Sequence, residues 1–76
     1  MERLYIVSGH IMGHPVTYGY FKSKDGARAC LDRQVDAFRS KGFKVEILED
    51  IEDEIQIYWE EQYHGYISVT SNTLNP

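Results

Sequence analysis

Histidine and cysteine are the residues of this chain that could bind a metal or act in covalent catalysis. His10 and His14 have three residues between them, a spacing that places two rings on one face of a helix, as in zinc sites. The surrounding run is rich in Gly and Pro, however, and predicts a loop over residues 8–15. We therefore expect exposed loop histidines, with no metal site and no other cofactor.

Cys30 is the only cysteine, and it lies beside the apolar stripe of a predicted helix, where a thiol is suited to packing in the core. A catalytic Cys–His pair needs an exposed thiolate with a base within hydrogen-bond reach, and His64 could reach Cys30 only through the tertiary fold. Gly9 and Gly13 lack the Lys-Ser/Thr and the helix start of a phosphate-binding loop. We expect them instead to supply positive φ angles at the end of a hairpin, and we predict no catalytic site.

Charge is divided unevenly along the chain. Residues 1–44 contain all eight basic residues against four acidic ones, whereas residues 45–76 contain eight acidic residues and no Lys or Arg. Carboxylate pairs such as Glu60-Glu61 have no cleft-forming neighbours that would desolvate one of them for general acid–base work. The imbalance raises the question of a charged partner, although it says nothing about the fold.

The acidic segment, residues 46–61, combines carboxylates with aromatic side chains and contains no cation. On a two-stranded ribbon, next-but-one residues of one face are roughly 7 Å apart, close to the separation of successive phosphates along a nucleic-acid strand. Such a surface would be steered towards a basic groove, and its aromatic rings would anchor the contact. The alternative is a solvated acidic edge that prevents aggregation between strands. The predicted partner-binding residues are Glu46, Glu49, Asp50, Glu52, Asp53, Glu54, Tyr58, Trp59, Glu60, Glu61 and Tyr63.

These features favour a non-enzymatic protein-binding module, a small inhibitor or accessory factor that docks on a larger, basic, nucleic-acid-handling protein. Phages and other mobile elements encode many proteins of this kind. A homodimer is a further possibility, with a basic helix face meeting the acidic edge of a second copy. The alternative is a small nucleic-acid-binding regulator, in which Tyr5, Tyr18, Tyr20 and Phe21 stack bases. Its phosphate contacts would come from Arg28, Arg33, Arg39, Lys41 and Lys44. The acidic net charge argues against direct nucleic-acid binding.

The compartment is predicted from what the sequence lacks. A single cysteine excludes an intramolecular disulfide, and no run is long and apolar enough for a signal peptide or a membrane span. We therefore expect a cytoplasmic protein without a membrane partner.

A helix is the element that the sequence predicts most directly. Ser23 or Asp25 can cap its start, and Gly42 is the expected left-handed residue after its end. The stripe of an amphipathic helix is formed by Ala27, Leu31, Val35 and Phe38.

Alternating apolar residues predict strands over residues 3–8, 16–22, 43–49 and 66–70, with Ile67 and Val69 of the last strand pointing inward. Residues 51–62 also fit a helical face, but their β-branched and aromatic content favours another strand over 54–59, followed by a turn over 62–65. Residues 71–76 are predicted as a frayed tail. The result is one α+β domain over residues 1–76, with the order ββαβββ. An antiparallel sheet of four to five strands carries one amphipathic helix on one face, and the pattern leaves open which face that is.

Overall fold

The computed structural model describes residues 3–48 and 53–73. The order of its elements is β1 (Arg3–Ile11), β2 (His14–Phe21), α1 (Lys24–Ser40), β3 (Lys44–Leu48), β4 (Glu54–Trp59) and β5 (Gln62–Thr73). The strands form one antiparallel sheet in the order β2-β1-β5-β4-β3. The structure thus confirms the predicted α+β class, the element order and the single helix.

Local signals account for the start of α1. The Ser23 hydroxyl accepts a hydrogen bond from the Gly26 amide at 3.1 Å, so Ser23, rather than Asp25, is the N-cap. The predicted stripe packs against the sheet, with Ala27, Leu31 and Val35 buried and Phe38 half-buried.

The end of α1 is a Schellman motif. The Phe43 amide donates to the Phe38 carbonyl and the Gly42 amide donates to the Arg39 carbonyl, both at 3.0 Å. Gly42 has a φ of 96°, which confirms its prediction as the left-handed residue after the helix.

The connection between β1 and β2 is shorter than predicted. Both strands continue into the predicted loop over residues 8–15, and only Met12 and Gly13 remain between them, with φ of 53° and 81°. Positive φ at both positions matches the right-handed twist of the paired strands in a two-residue hairpin. The loop prediction is therefore wrong, and His10 and His14 lie on strands.

Gly9 is needed for close packing of strands rather than for a turn. Gly9 lies within β1 and its φ is not positive, so the prediction of a positive φ is wrong for Gly9. The same prediction is confirmed for Gly13. A Cβ atom on Gly9 would overlap the carbonyl oxygen of Tyr66 and come within 2.8 Å of the Ile67 Cα. Only glycine permits this approach of β5 to β1.

Residues 51–62 fit either a helix or a strand in sequence, and residues 54–59 form strand β4 of the C-terminal hairpin, as predicted. Its turn is formed by Glu60 and Glu61 instead of the predicted residues 62–65, which belong to β5. Residues 71–73 pair with β1, which corrects the predicted start of the frayed tail. The remainder of that tail, residues 74–76, lies outside the described residues.

The core lies between α1 and one face of the sheet. Inward residues of four strands pack against the helix, as predicted for Ile67 and Val69. The buried set is Val7, Ala27, Cys30, Leu31, Val35, Val45, Ile55, Ile57, Ile67 and Val69. Within residues 3–48 and 53–73, no helix combines the length and the apolar character that a membrane crossing requires.

Candidate partner-binding surface

The sheet face opposite α1, which we call the open face, carries side chains that alternate with the buried ones. Because successive residues of a strand point to opposite faces, burial of Val7, Ile57 and Ile67 assigns their neighbours to the open face. None of these neighbours is buried. The open face consists of Leu4, Ile6, Ser8 and His10 from β1, Pro15, Thr17 and Tyr20 from β2, Lys44, Glu46 and Leu48 from β3, Glu54, Gln56 and Tyr58 from β4, and Tyr63, Tyr66, Ser68, Thr70 and Asn72 from β5.

Carboxylates and aromatic rings concentrate on one side of this face, over β3, β4 and β5. We call this side the acidic half; its members are Glu46, Glu54, Gln56, Tyr58, Tyr63 and Tyr66. Glu46 pairs with Gln56 across β3 and β4, and Leu48 pairs with Glu54. The two carboxylates are therefore diagonal neighbours, for which a separation of roughly 7–8 Å at the backbone is typical.

Hydrogen bonds link three side chains of the acidic half, those of Tyr58, Gln56 and Glu54. The Tyr58 hydroxyl donates to the Gln56 side-chain oxygen at 2.8 Å, and the Gln56 amide donates to a Glu54 carboxylate oxygen at 3.4 Å. The Tyr58 ring meets the Tyr63 ring edge-on, with the centroids 5.7 Å apart. Ordering the side chains in advance lowers the entropy that a docking partner would have to overcome.

Tyr63 is the most accessible ring of the acidic half, with 55% of its surface exposed. Partial burial raises the pKa of its hydroxyl, and the nearby Glu54 carboxylate adds to the rise. The hydroxyl is thus a neutral hydrogen-bond donor around neutral pH. The negative charge of this surface comes from its carboxylates alone.

Asp53 belongs to a different surface from the one predicted. Its carboxylate forms an ion pair with Arg28 of α1, and the Asp53 side chain is only 17% exposed. Lys44 also lies 3.8 Å from Glu46, although both of these side chains are exposed and such a pair contributes little. The acidic segment contains no cation of its own, but the fold brings Arg28 to Asp53 and Lys44 to Glu46 from outside it.

The other predicted residues divide between three places. Trp59 lies on the helix side, where its ring packs 4.9 Å from that of Phe43, so it does not share a surface with Tyr58 and Tyr63. Glu60 and Glu61 form the exposed tip of the β4–β5 hairpin, next to the acidic half. Glu49, Asp50 and Glu52 lie outside the described residues.

Two residues of the acidic half were not predicted as part of a site. Tyr66 contacts His10 across β1 and β5, with its hydroxyl 3.2 Å from the imidazole Nδ1. Gln56 links Tyr58 to Glu54. Alternation along β5 could have identified Tyr66, because it is next to Ile67, which is predicted to point inward.

Metal-binding and nucleophilic residues do not converge. In the part of the chain that the structure describes, no three His, Cys, Asp or Glu side chains come close enough to hold a metal ion. Cys30 is 3% exposed within the core, as predicted. A bulge in β5 leaves His64 without a cross-strand partner on β4 and directs its ring onto Phe43.

The surface required for nucleic-acid binding is divided between two layers. Tyr5, Tyr18 and Phe21 pack against the core on the helix side, and Tyr20, 63% exposed, is on the open face. The cations of α1 lie on the helix layer, which is separated from the open face by the sheet. Tyr20 and the helix cations therefore do not form one stacking and phosphate-binding surface.

No protein-family model matches the sequence, and neither a curated protein nor a solved structure shows significant similarity to the chain. The functional argument therefore relies on the residues themselves.

Proposed function

We propose that this chain is a non-enzymatic protein-binding module that docks the acidic half of its open face onto a basic surface of a larger protein. The partner is one that handles nucleic acid, and the module blocks its binding site in the manner of an inhibitor or accessory factor. The proposal rests on the observation that only one face of the sheet is covered by a helix. A single helix packs on one face, while the other presents ordered tyrosines and carboxylates to solvent.

Charge is segregated between the layers in a way that favours a basic partner. Six of the eight basic residues fall between Lys22 and Lys41, in α1 and its two ends. Among the described residues of the open face, Lys44 is the only Lys or Arg, against Glu46 and Glu54, with the Glu60-Glu61 tip alongside. A basic groove that approaches the open face is therefore attracted without strong repulsion from the helix layer.

The aromatic residues supply the contact area that carboxylates cannot. Tyr and Trp dominate binding energy in protein interfaces because they bury a large surface at a small entropic cost. Tyr58, Tyr63 and Tyr66 lie among the carboxylates. In this position they can anchor a basic partner that the carboxylates have attracted. The buried thiol of Cys30 suits a reducing compartment, and we place the protein in the cytoplasm.

The test compares charge reversal on the two layers. Tagged wild-type protein is used to capture partners at low and high salt, and a captured protein is purified and assayed for oligonucleotide binding with and without this chain. We expect Glu46→Lys combined with Glu54→Lys to abolish capture with the fold intact by circular dichroism. The matched control reverses Asp32 and Asp36, two exposed acidic residues of α1, and should capture normally.

The aromatic contribution has its own matched pair of variants. Tyr63→Ala should weaken partner binding by roughly tenfold or more, whereas Tyr20→Ala, an exposed tyrosine outside the acidic half, should leave it unchanged. Capture that survives reversal of Glu46 and Glu54 would contradict the proposal. Recovery of nucleic acid without a dominant protein would favour direct nucleic-acid binding, and a second copy of the chain as the captured species would favour a homodimer.

A further inference from the structure

A cleft opens on the helix side of the sheet, at the end where α1 begins. It has a volume of about 210 Å³ and shares only Thr70 with the open face. The lining residues are Arg3, Tyr5, Lys24, Asp53, Val69, Thr70 and Ser71.

Unequal element lengths create the cleft. β5 has 12 residues and spans roughly 40 Å at 3.3 Å per residue, whereas the 17 residues of α1 span roughly 26 Å. β4 begins at Glu54, which pairs with Ser68, while β5 continues to Thr73 beside β1. Near this end, Tyr5 and Ser71 form a floor that α1 covers only in part.

The charged groups of the cleft are predominantly cationic. Arg3 and Lys24 line it from β1 and from the first residue of α1. The one carboxylate in the lining, that of Asp53, is already paired with Arg28. Among the described residues, no carboxylate lies within ion-pair distance of Arg3 or Lys24. Two cations therefore line the cleft, and the one carboxylate among its described lining residues is paired with Arg28.

We propose that this cleft binds the phosphate group of a small phosphomonoester. A phosphate monoester carries a charge of about −1.5 to −2 near neutral pH, which matches the two cations. The guanidinium of Arg3 can contact two phosphate oxygens at once, while Lys24 provides a point charge. The Ser71 hydroxyl adds a donor, and the positive end of the α1 dipole acts in the same direction.

The uncharged residues of the cleft indicate which group is attached to the phosphate. The Tyr5 ring, which is only partly buried, offers apolar surface in the cleft, so an ester with a small ring should bind better than inorganic phosphate. The volume is below the roughly 300–1,000 Å³ typical of sites for drug-sized ligands. The ligand is therefore a small ester rather than a dinucleotide or an oligonucleotide.

The experiment is a titration of the full chain, labelled with ¹⁵N, with phenyl phosphate and separately with inorganic phosphate at low salt. We expect saturable amide shifts centred on Tyr5, Lys24 and Ser71, and tighter binding of phenyl phosphate. Arg3→Gln and Lys24→Gln should each weaken binding about tenfold, the effect of losing one charged hydrogen bond. Arg33→Gln, which removes an exposed α1 cation outside the cleft lining, should have no effect.

Three outcomes would overturn the proposal. The first is the absence of saturable shifts at the cleft. The second is equal affinity for phenyl phosphate and inorganic phosphate, which would reveal only general anion attraction. The third is an equal effect of Arg3→Gln and Arg33→Gln. None of these outcomes bears on the acidic half, which lies on the opposite face of the sheet.

Discussion

The β4–β5 turn is where a two-residue change should raise stability most clearly. Glu60 and Glu61 form the whole loop, with φ of 49° and 66°. Positive φ at both central residues is the geometry of a type I′ turn, which strongly favours Asn-Gly. Two glutamates in this position carry backbone strain as well as mutual repulsion. We predict that Glu60→Asn combined with Glu61→Gly stabilises the fold.

The magnitude follows from the left-handed backbone. A non-glycine residue in this region costs roughly 1–2 kcal/mol, and asparagine tolerates it better than glutamate. Glycine removes the penalty at Glu61 but adds roughly 0.5–1 kcal/mol through the entropy of the unfolded chain. We expect the unfolding free energy to rise by about 1–2 kcal/mol, which corresponds to a Tm increase of roughly 4–16 °C in a domain of this size.

Urea denaturation followed by circular dichroism, together with a thermal melt, measures the effect. The midpoint should rise with an unchanged m-value, since the surface exposed on unfolding stays the same. The control Glu60→Gln with Glu61→Gln removes the charges and keeps the strained backbone, so its midpoint should stay close to that of the wild type. A control as stable as the Asn-Gly variant would show that repulsion, rather than backbone strain, destabilises this turn.

The remaining predictions concern a close contact and a titrating group. Gly9→Ala should lower the unfolding free energy by roughly 3 kcal/mol or more, because its Cβ would overlap the Tyr66 carbonyl oxygen. Gly13→Ala, which meets no atom within 4 Å but has a φ of 81°, should cost only about 1–2 kcal/mol; equal losses in urea denaturation would contradict this reasoning. Burial, and secondarily electrostatic repulsion from Cys30, raises the pKa of Tyr18 above 10.0, so its contribution to stability is fully present below pH 10 and is lost as the pH rises through the folded-state pKa. Tyr18→Phe should therefore flatten the alkaline decline in unfolding free energy, and an identical decline in both proteins would refute the assignment.

The proposed function adds a consequence for the strained turn. Glu60 and Glu61 lie at the tip next to the acidic half, and replacing them with Asn-Gly removes two carboxylates from the end that a basic partner would approach. The same variant that stabilises the fold should therefore weaken partner capture at low salt. A gain in stability with undiminished capture would exclude the turn from the interface.

The helix was predictable from sequence because its determinants are local. Ser23 caps the start, Gly42 ends the helix, and the apolar stripe between them has helical spacing; all three signals involve residues within a few positions of their partners. Strand alternation was equally local, and it correctly placed Ile67 and Val69 inward. Turn positions were harder to predict from the sequence, because residues 8–15 and 62–65 resemble loops in composition. Pairing with other strands makes these residues extended, apart from the turn at Met12 and Gly13.

The candidate site was predicted in part. The concentration of carboxylates and aromatic residues in one segment is a property of the sequence. The sequence cannot show that Arg28, 25 residues earlier in the chain, binds Asp53. Nor can it show that Trp59 packs on Phe43 while Tyr58, its neighbour, faces the other way.

By itself, then, the sequence determined the element types, the ends of the helix, the inward stripe and the charge imbalance, since each depends on spacing along the chain. The tertiary structure alone decided the strand order β2-β1-β5-β4-β3, the open face and the cleft beside Arg3 and Lys24. Those features join residues that are distant in sequence. Their pairing is selected by burial of one shared core, and alternation within a strand does not specify which strand lies beside it.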